Sequence, residues 1–171
     1  ILIAGPARNN VDTLTTEVDT LFKSASGFKK AYCLVVESDS TDNTLAELEA
    51  LKGSHSSFGY ISLGQLAKKM PKRTERLACA RNRILDELAN NPLYANVDYV
   101  FMADLDGINR SITQEKIEAC WDLSEPWDVV TAIQSDRYYD IWALRHPDWS
   151  PIDCFTLRSR LEGVIGKDAA N

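Results

Sequence analysis

Two carboxylates stand two residues apart at the end of the most apolar run in the chain. Asp104 and Asp106 follow residues 99–103, a tyrosine, valine, phenylalanine, methionine and alanine. In an extended chain, residues two apart share a side, so these carboxylates would repel each other unless a cation lay between them. Mg²⁺ and Mn²⁺ bind oxygen ligands and leave positions for phosphate oxygens. The pair therefore predicts a metal site, and a solvated loop beside a helix cap is the alternative.

Arg81 is the second residue whose position indicates chemistry. It lies four residues after Leu77 and three before Ile84, which predicts a place on the buried face of a helix over residues 74–89. A buried guanidinium needs an anionic partner, and this partner could be a core carboxylate or a ligand phosphate. The other arginines of this stretch fall on other faces and are predicted to be solvated: Arg73, Arg76 and Arg83.

Glu37 is the third candidate, because it directly follows the apolar run of residues 32–36. An acid at the end of a strand can accept hydrogen bonds from a nucleobase N–H or a ribose hydroxyl. Ser40, Thr41 and Asp42, which come next, are residue types that begin helices. The segment therefore predicts a strand, a possible ligand contact and a helix start, in that order.

Strand-like and helix-like stretches alternate along the chain. Nearly unbroken apolar strands separated by helices predict an α/β fold with a mostly parallel sheet and helices on both faces. Ligands bind such sheets beyond the carboxyl ends of the strands, where the candidates above stand. The predicted strands are residues 1–4, 32–36, 58–63, 99–103, 127–133 and 139–144, and the predicted helices are 11–23, one beginning at 40 or 41, 74–89 and 113–123.

Composition limits the classes of function. The 171 residues suit one domain, and the net charge of −6 argues against a nucleic-acid-binding protein. No apolar run reaches the roughly 18 residues of a membrane span. The four cysteines have no C-x-x-C spacing, so we expect reduced thiols. Because the chain opens at Ile1 without a methionine, we expect a piece of a longer protein, cytoplasmic or in the Golgi lumen if an anchor was removed.

Four segments together resemble GT-A glycosyltransferases. Residues 36–44, Val-Glu-Ser-Asp-Ser-Thr-Asp-Asn-Thr, are similar to the segment that follows the second strand in that family. Residues 7–9 and 80–82, both Ala-Arg-Asn, and the D-x-D at 104–106 also fit. The greatest similarity is to fungal capsule-associated α-1,3-mannosyltransferases, which have an arginine-rich helix like residues 73–82 and a Tyr-Asp-x-Trp segment like 139–142. The resemblance covers about residues 1–145.

This resemblance implies a GT-A-like, Rossmann-like fold and a reaction. The donor would be a GDP- or UDP-sugar, the cofactor Mn²⁺ or Mg²⁺, and the acceptor a glycan or another hydroxyl. The mannosyltransferase similarity implies retention of configuration. The ion would stabilise the departing nucleoside diphosphate.

The resemblance also implies roles for individual residues. Pro6 and Arg8 would line the nucleotide pocket, and Glu37 would contact the base or ribose. Arg81 would meet the diphosphate or brace the acids, whereas Asp104 and Asp106 would hold the ribose and the metal. A transfer with inversion would need a general base, for which the candidates are Asp136, Asp140, Asp153 and Glu162, whereas retaining members need no such base. Asp140 belongs to the Tyr-Asp-x-Trp segment.

One departure and two other hypotheses accompany this interpretation. Asp39 stands where the family commonly has glycine, which affects close packing against the donor. Residues 101–107 are also similar to the first motif of haloacid dehalogenase-type phosphatases, with Asp104 as nucleophile and Asp106 as acid/base. That motif normally opens the chain. A non-catalytic nucleotide- or carbohydrate-binding module is the third hypothesis, and it predicts binding without metal-dependent turnover.

Overall fold

The first four apolar runs form one parallel sheet. The structure is a computed structural model that describes residues 1–131, 147–148, 151–152, 156–157 and 160. The strands are β1 (Leu2–Ala7), β2 (Tyr32–Glu37), β3 (Phe58–Ser62) and β4 (Val100–Met102), in the order β3-β2-β1-β4. All three strand pairs are parallel, as the sequence predicts.

Within residues 1–131, four α-helices connect or follow these strands. They are α1 (Leu14–Ser24), α2 (Thr44–Ser54), α3 (Arg73–Asn90) and α4 (Gln114–Glu118). Short 3₁₀ turns lie at Leu66–Lys68, Pro92–Tyr94, Asn109–Ser111 and Ala119–Asp122. Among the residues that the structure describes, no helix has both the length and the apolar character needed to cross a membrane.

The chain divides into two compact units, Ile1–Pro126 and Trp127–Asn171. All the helices and strands named above belong to the first unit. Whether the chain acts as one glycosyltransferase domain over residues 1–171 stays a prediction.

Helices cover both faces of the sheet, as predicted for an α/β fold. Alternate residues of each strand point to opposite faces, and each set has its own cluster. On one face, Ile3 and Val35 pack with buried residues of α1 and α2. On the other face, Leu2 and Leu34 pack with α3 residues including Ile84. The central strands β1 and β2 are therefore buried on both sides, which explains their unbroken apolar sequences.

The edge strand β4 is less buried than its sequence predicts. Val100 and Met102 are 40% and 44% exposed. In the described part of the chain β4 pairs on one side only, with β1, and it contributes three residues. The apolar sequence of β4 therefore did not predict the exposure of its side chains.

Several predicted boundaries were wrong. The helix α1 begins at Leu14 instead of residue 11, and α2 begins at Thr44 instead of residue 40 or 41. The predicted helix over residues 113–123 is an α-helix only over Gln114–Glu118. Residues 127–131 do not form the predicted strand, while residues 132–133 and 139–144 lie outside the described residues.

Gly5 allows β1 and the segment after β4 to approach closely. A Cβ atom on Gly5 would collide with the backbone carbonyl oxygen of Ala103 and come within 3.3 Å of the Leu105 side chain. The Ala103 N–H donates to the Ala4 carbonyl at 2.9 Å, which holds this segment against β1. The glycine therefore fixes the path by which the chain leaves β4 toward Asp104.

Three of the four cysteines lie in the described residues, and Cys33 and Cys79 are free thiols. Cys33 is buried in β2, whereas Cys79 and Cys120 are half-buried. Burial raises the pKa of the Cys33 thiol to about 12, because the thiolate would lose its hydration. Cys154 lies outside the described residues.

We expect alkylation to distinguish these thiols. At pH 8, iodoacetamide should modify Cys79 of the native protein while Cys33 stays protected, as read by peptide mass spectrometry. Because the unfolded thiol ionises near ~8.5, stability from the protonated Cys33 is complete below that pH. It is lost as the pH rises toward about 12. Equal labelling of Cys33 and Cys79 in the folded protein would contradict this burial.

Candidate functional site

The loops that leave the four strands meet at one edge of the sheet. Parallel strands place all their carboxyl ends at the same edge, so residues distant in sequence become neighbours there. The loop after β1 carries Arg8 and Asn9, and the loop after β2 carries residues 38–43. Asp104 and Asp106 follow β4. The sheet topology therefore brings three of the predicted segments together.

The two aspartates of the D-x-D lie on the solvent side of their segment. Asp104 and Asp106 are exposed, whereas Leu105 between them is 2% exposed and belongs to the core cluster of α1 and α2. The alternation expected of an extended segment is thus present. Leu105 anchors the segment and leaves both carboxylates free to meet solvent or a ligand.

Arg81 lies next to the D-x-D but is not buried. One guanidinium nitrogen of Arg81 is 3.6 Å from Asp104 Oδ1, and about half of each side chain is exposed. The prediction of a buried Arg81 was wrong, because the residues of α3 that the sheet covers most completely are Ala80 and Ile84. The prediction that Arg81 would lie near the acids agrees with this ion pair.

Arg76 takes the buried position instead. Its side chain is 13% exposed, and its Nε lies 3.5 Å from Asp39 Oδ2. Its guanidinium also donates to the carbonyls of Met70 and Pro71, at 2.8 and 2.7 Å. The prediction that Arg76 is solvated was wrong, because the loop after β3 covers this side of α3.

Asp39 has a backbone conformation that favours glycine. Its φ is +60°, a conformation that a side chain disfavours. The carboxylate nevertheless has a structural use, since Oδ1 accepts from the Ala67 N–H at 2.8 Å. Oδ2 is fully buried with no hydrogen bond, and Arg76 is its ionic partner. Asp39 thus joins the loops after β2 and β3.

Both carboxylate oxygens of Glu37 accept hydrogen bonds from other residues of the chain. The side chain is 1% exposed, and its two oxygens accept from the Ser40 N–H at 2.9 Å and the Ser62 hydroxyl at 2.5 Å. These bonds hold the loop after β2 and the end of β3. The geometry favours an organising role for Glu37, and its contact with a base or ribose stays a prediction.

Pro6 and Arg8 lie at the carboxyl end of β1. Pro6 is half-buried within the strand, opposite Val36. Arg8 is exposed, and its Nε donates to the Asp39 carbonyl at 3.3 Å. Arg8 therefore reaches across to the loop after β2 and adds a cation to the candidate site.

Asparagines join the loops, a feature that sequence reasoning missed. Asn9 Oδ1 accepts from the Thr41 N–H at 2.8 Å, and Asn10 Nδ2 donates to the Leu105 carbonyl at 2.9 Å. The φ of Asn9 is +54°, which asparagine tolerates better than most residues. The Ala-Arg-Asn similarity pointed to Asn9, but nothing local in the sequence indicates these partners.

The donor set suits a hard divalent cation that keeps water ligands. In the described residues no group of three or more histidine, cysteine or acidic side chains is placed to hold a metal ion. Mg²⁺ usually takes one or two carboxylates and completes its shell with water and phosphate oxygens. Asp104 and Asp106 fit that pattern. The four candidate general bases, Asp136, Asp140, Asp153 and Glu162, lie outside the described residues.

An open cleft of about 530 Å³ lies beside α3 and does not include the two aspartates. Its walls include Leu63, Met70, Cys79 and Asn82. Neither Asp104 nor Asp106 lines this cleft, so the cleft does not support a ligand site at the two carboxylates. The candidate site is identified by the chemistry of the carboxylates alone.

No protein-family model matches the chain, and no curated protein matches it significantly. The side chains of the site are therefore the basis for assigning a function.

Proposed function

We propose that this chain is the nucleotide-sugar-binding domain of a metal-dependent glycosyltransferase, with a mannosyltransferase as the first candidate. The observation that carries the proposal is the placement of Asp104 and Asp106. Both are exposed at the carboxyl edge of a parallel sheet, with Leu105 anchored in the core. Parallel α/β sheets bind nucleotides at this edge.

Charge supports an anionic, metal-bound ligand. The chain carries a net charge of −6, so an anion needs local cations. Arg8 is exposed in the loop after β1, and Arg81, on α3, is exposed and lies 3.6 Å from Asp104. A guanidinium can hold a phosphate with two parallel hydrogen bonds.

Each residue then has a task in the transfer reaction. Asp104 and Asp106 would hold the divalent ion, which would stabilise the charge of the departing diphosphate. Arg81 would orient the diphosphate, and in its absence pairs with Asp104. Asp39 and Glu37 would keep the loops after β2 and β3 in place. Asp140 stays the candidate for a catalytic contact with the sugar or the acceptor.

Asp106→Asn tests the proposal directly. The amide keeps the size of the side chain but removes the charge that a hard cation requires. A diphosphate at about a hundred times its dissociation constant should add roughly 2.7 kcal/mol to the stability of the parent. We expect the variant to lose the Mn²⁺-dependent part of this gain and to bind GDP or UDP at least about tenfold more weakly, measured by thermal shift and calorimetry.

Asp98→Asn is the matched control, because Asp98 is exposed just before β4, at the opposite end of the same strand. It should leave the metal dependence unchanged. Equal behaviour of the two variants would remove the D-x-D from the site. Release of phosphate from a monoester with no acceptor present, lost in Asp104→Asn, would favour the phosphatase hypothesis instead.

A further inference from the structure

We propose that Asn109, held by the buried carboxylate of Glu17, is a positioning residue that fixes the direction of Asp104 and Asp106. The inference rests on the proposed function for its consequence in ligand binding. Its structural part, the ordering of residues 104–107, can be measured without any ligand. Neither residue belongs to the segments that carry the family resemblance.

The side-chain amide of Asn109 connects two distant parts of the chain. Nδ2 donates to Glu17 Oε2 at 2.5 Å and to the backbone carbonyl of Asp104 at 2.6 Å. An asparagine amide has two N–H donors, so both are used. The Asn109 backbone N–H also approaches Glu17 Oε2, at 3.4 Å. Oε2 of Glu17 thus accepts from both the side-chain amide and the backbone N–H of Asn109.

Both members of this pair are removed from solvent. Glu17 is 1% exposed and Asn109 is 5% exposed. A buried carboxylate is costly unless hydrogen bonds compensate it, and Glu17 also gains from its place in the first turn of α1. Because the acceptor is fixed in the core, it determines where the amide of Asn109 can lie.

A hydrogen bond from Asn109 to the Asp104 carbonyl joins the two ends of the loop over residues 104–109. Gly107 has a φ of +96°, which reverses the chain after Asp106. Asn109 then follows at the start of a 3₁₀ turn and reaches back to the Asp104 carbonyl. The D-x-D therefore lies on a short loop whose two ends are tied together.

The neighbouring backbone carbonyl, that of Leu105, is also held by hydrogen bonds. Leu105 O accepts from Asn10 Nδ2 at 2.9 Å and from the Thr13 hydroxyl at 3.3 Å. With the Asp104 carbonyl bonded to Asn109 and the Leu105 carbonyl bonded to Asn10 and Thr13, the segment cannot rotate without breaking these bonds. The side chains of Asp104 and Asp106 are exposed in this arrangement. Metal sites depend on such supporting hydrogen bonds for the orientation of their ligands.

The test uses the full chain labelled with ¹⁵N, without ligand. In the parent, backbone order parameters at residues 104–107 should be near those of rigid backbone, about 0.85. In Asn109→Ala we expect them to fall below about 0.6, the range of flexible segments. The matched control is Asn91→Ala, which also removes an asparagine with two side-chain hydrogen bonds, to Leu93 and Glu87, before β4. It should leave residues 104–107 as in the parent.

Binding provides the second measurement. Asn109→Ala should weaken Mn²⁺-dependent binding of GDP or UDP by about tenfold, whereas Asn91→Ala should change it less than about twofold. Glu17→Gln retains an acceptor oxygen for Asn109, so it should preserve both the order of residues 104–107 and the affinity. If Asn109→Ala does not fold, Asn109→Ser replaces it, because its hydroxyl still offers one donor to Glu17.

The outcomes separate the two proposals. Unchanged order at residues 104–107 in the Asn109 variant would overturn the positioning role, even if the variant were less stable. A parent that binds neither diphosphate with Mn²⁺ would overturn the proposed function, and the order parameters would still decide the role of Asn109. Loss of order with undiminished binding would also overturn the inference, since the ordering would then have no consequence for the site.

Discussion

Gly5→Ala is expected to destabilise the protein by about 3 kcal/mol, the upper part of the range for overpacking a well-packed interior. The added methyl group would meet the backbone carbonyl oxygen of Ala103 and not a flexible side chain. Relief requires β1 and the segment after β4 to separate, which weakens the hydrogen bond from Ala103 N to Ala4 O. For a chain of this size, the melting temperature should fall by roughly 6–12 °C.

Gly53→Ala is the matched control for this prediction. Gly53 lies within α2, and a Cβ atom there would meet nothing within 4 Å. Alanine in a helix interior is more stable than glycine by about 0.5–1 kcal/mol, and Gly53 is the second-last residue of α2, so this variant should melt at or slightly above the temperature of the parent. If both alanine variants melted alike, the close approach at Gly5 would be refuted. Because Gly5 sets the path to Asp104, its variant should also weaken Mn²⁺-dependent nucleotide binding.

Arg76→Ala is expected to cost about 3–5 kcal/mol in the free energy of unfolding, the usual result of removing one partner of a buried ion pair. The loss leaves Asp39 Oδ2 buried without a charge partner, and the carbonyls of Met70 and Pro71 lose their donor. Chemical denaturation monitored by circular dichroism measures the change. The same helix provides the comparison in Arg83, which is 43% exposed and pairs with Glu87. Arg83→Ala should cost less than about 1 kcal/mol.

A double variant shows whether the unpaired buried charge of Asp39 causes the loss of stability. In Arg76→Met with Asp39→Gly, the buried charges disappear together, and glycine accepts the positive φ of residue 39 without strain. We expect this protein to recover a large part of the stability that Arg76→Met loses alone, although the hydrogen bond from Ala67 N is gone. Additive losses in the two single variants would show that the ion pair contributes nothing specific.

The sequence predicted the framework of the site. Apolar runs of strand length separated by helical spacing identified all four described strands and the parallel α/β sheet, because burial on both faces requires nearly continuous apolar residues. The same reasoning placed Glu37, Arg8 and Asp104 at one edge. The period of two in an extended chain also predicted that Asp104 and Asp106 share a side, which the burial of Leu105 confirms.

The sequence failed where a side chain's environment depends on a distant segment. Periodicity relative to Leu77 placed Arg81 on the buried face, yet α3 presents Ala80 and Ile84 to the sheet, and the loop after β3 covers Arg76. Each residue turns a helix by about 100°, so Arg76 and Arg81, five residues apart, point about 140° away from each other, and the roll of the helix about its axis decides which of them is covered. Only the packing of α3 against the sheet and that loop determines the roll.

The hydrogen-bond partners of the site were decided by tertiary structure in the same way. Glu37 reaches Ser62 across 25 residues, Glu17 reaches Asn109 across 92, and Asn10 reaches Leu105 across 95. The sequence shows which hydrogen bonds a polar side chain can donate or accept, but it does not show the partner. The sequence by itself thus predicted the four strands of the described sheet and the end of the sheet that carries the acids. The folded chain decided which acids are free for a ligand, because a buried hydrogen-bonding group must be satisfied by whatever group the fold brings to it.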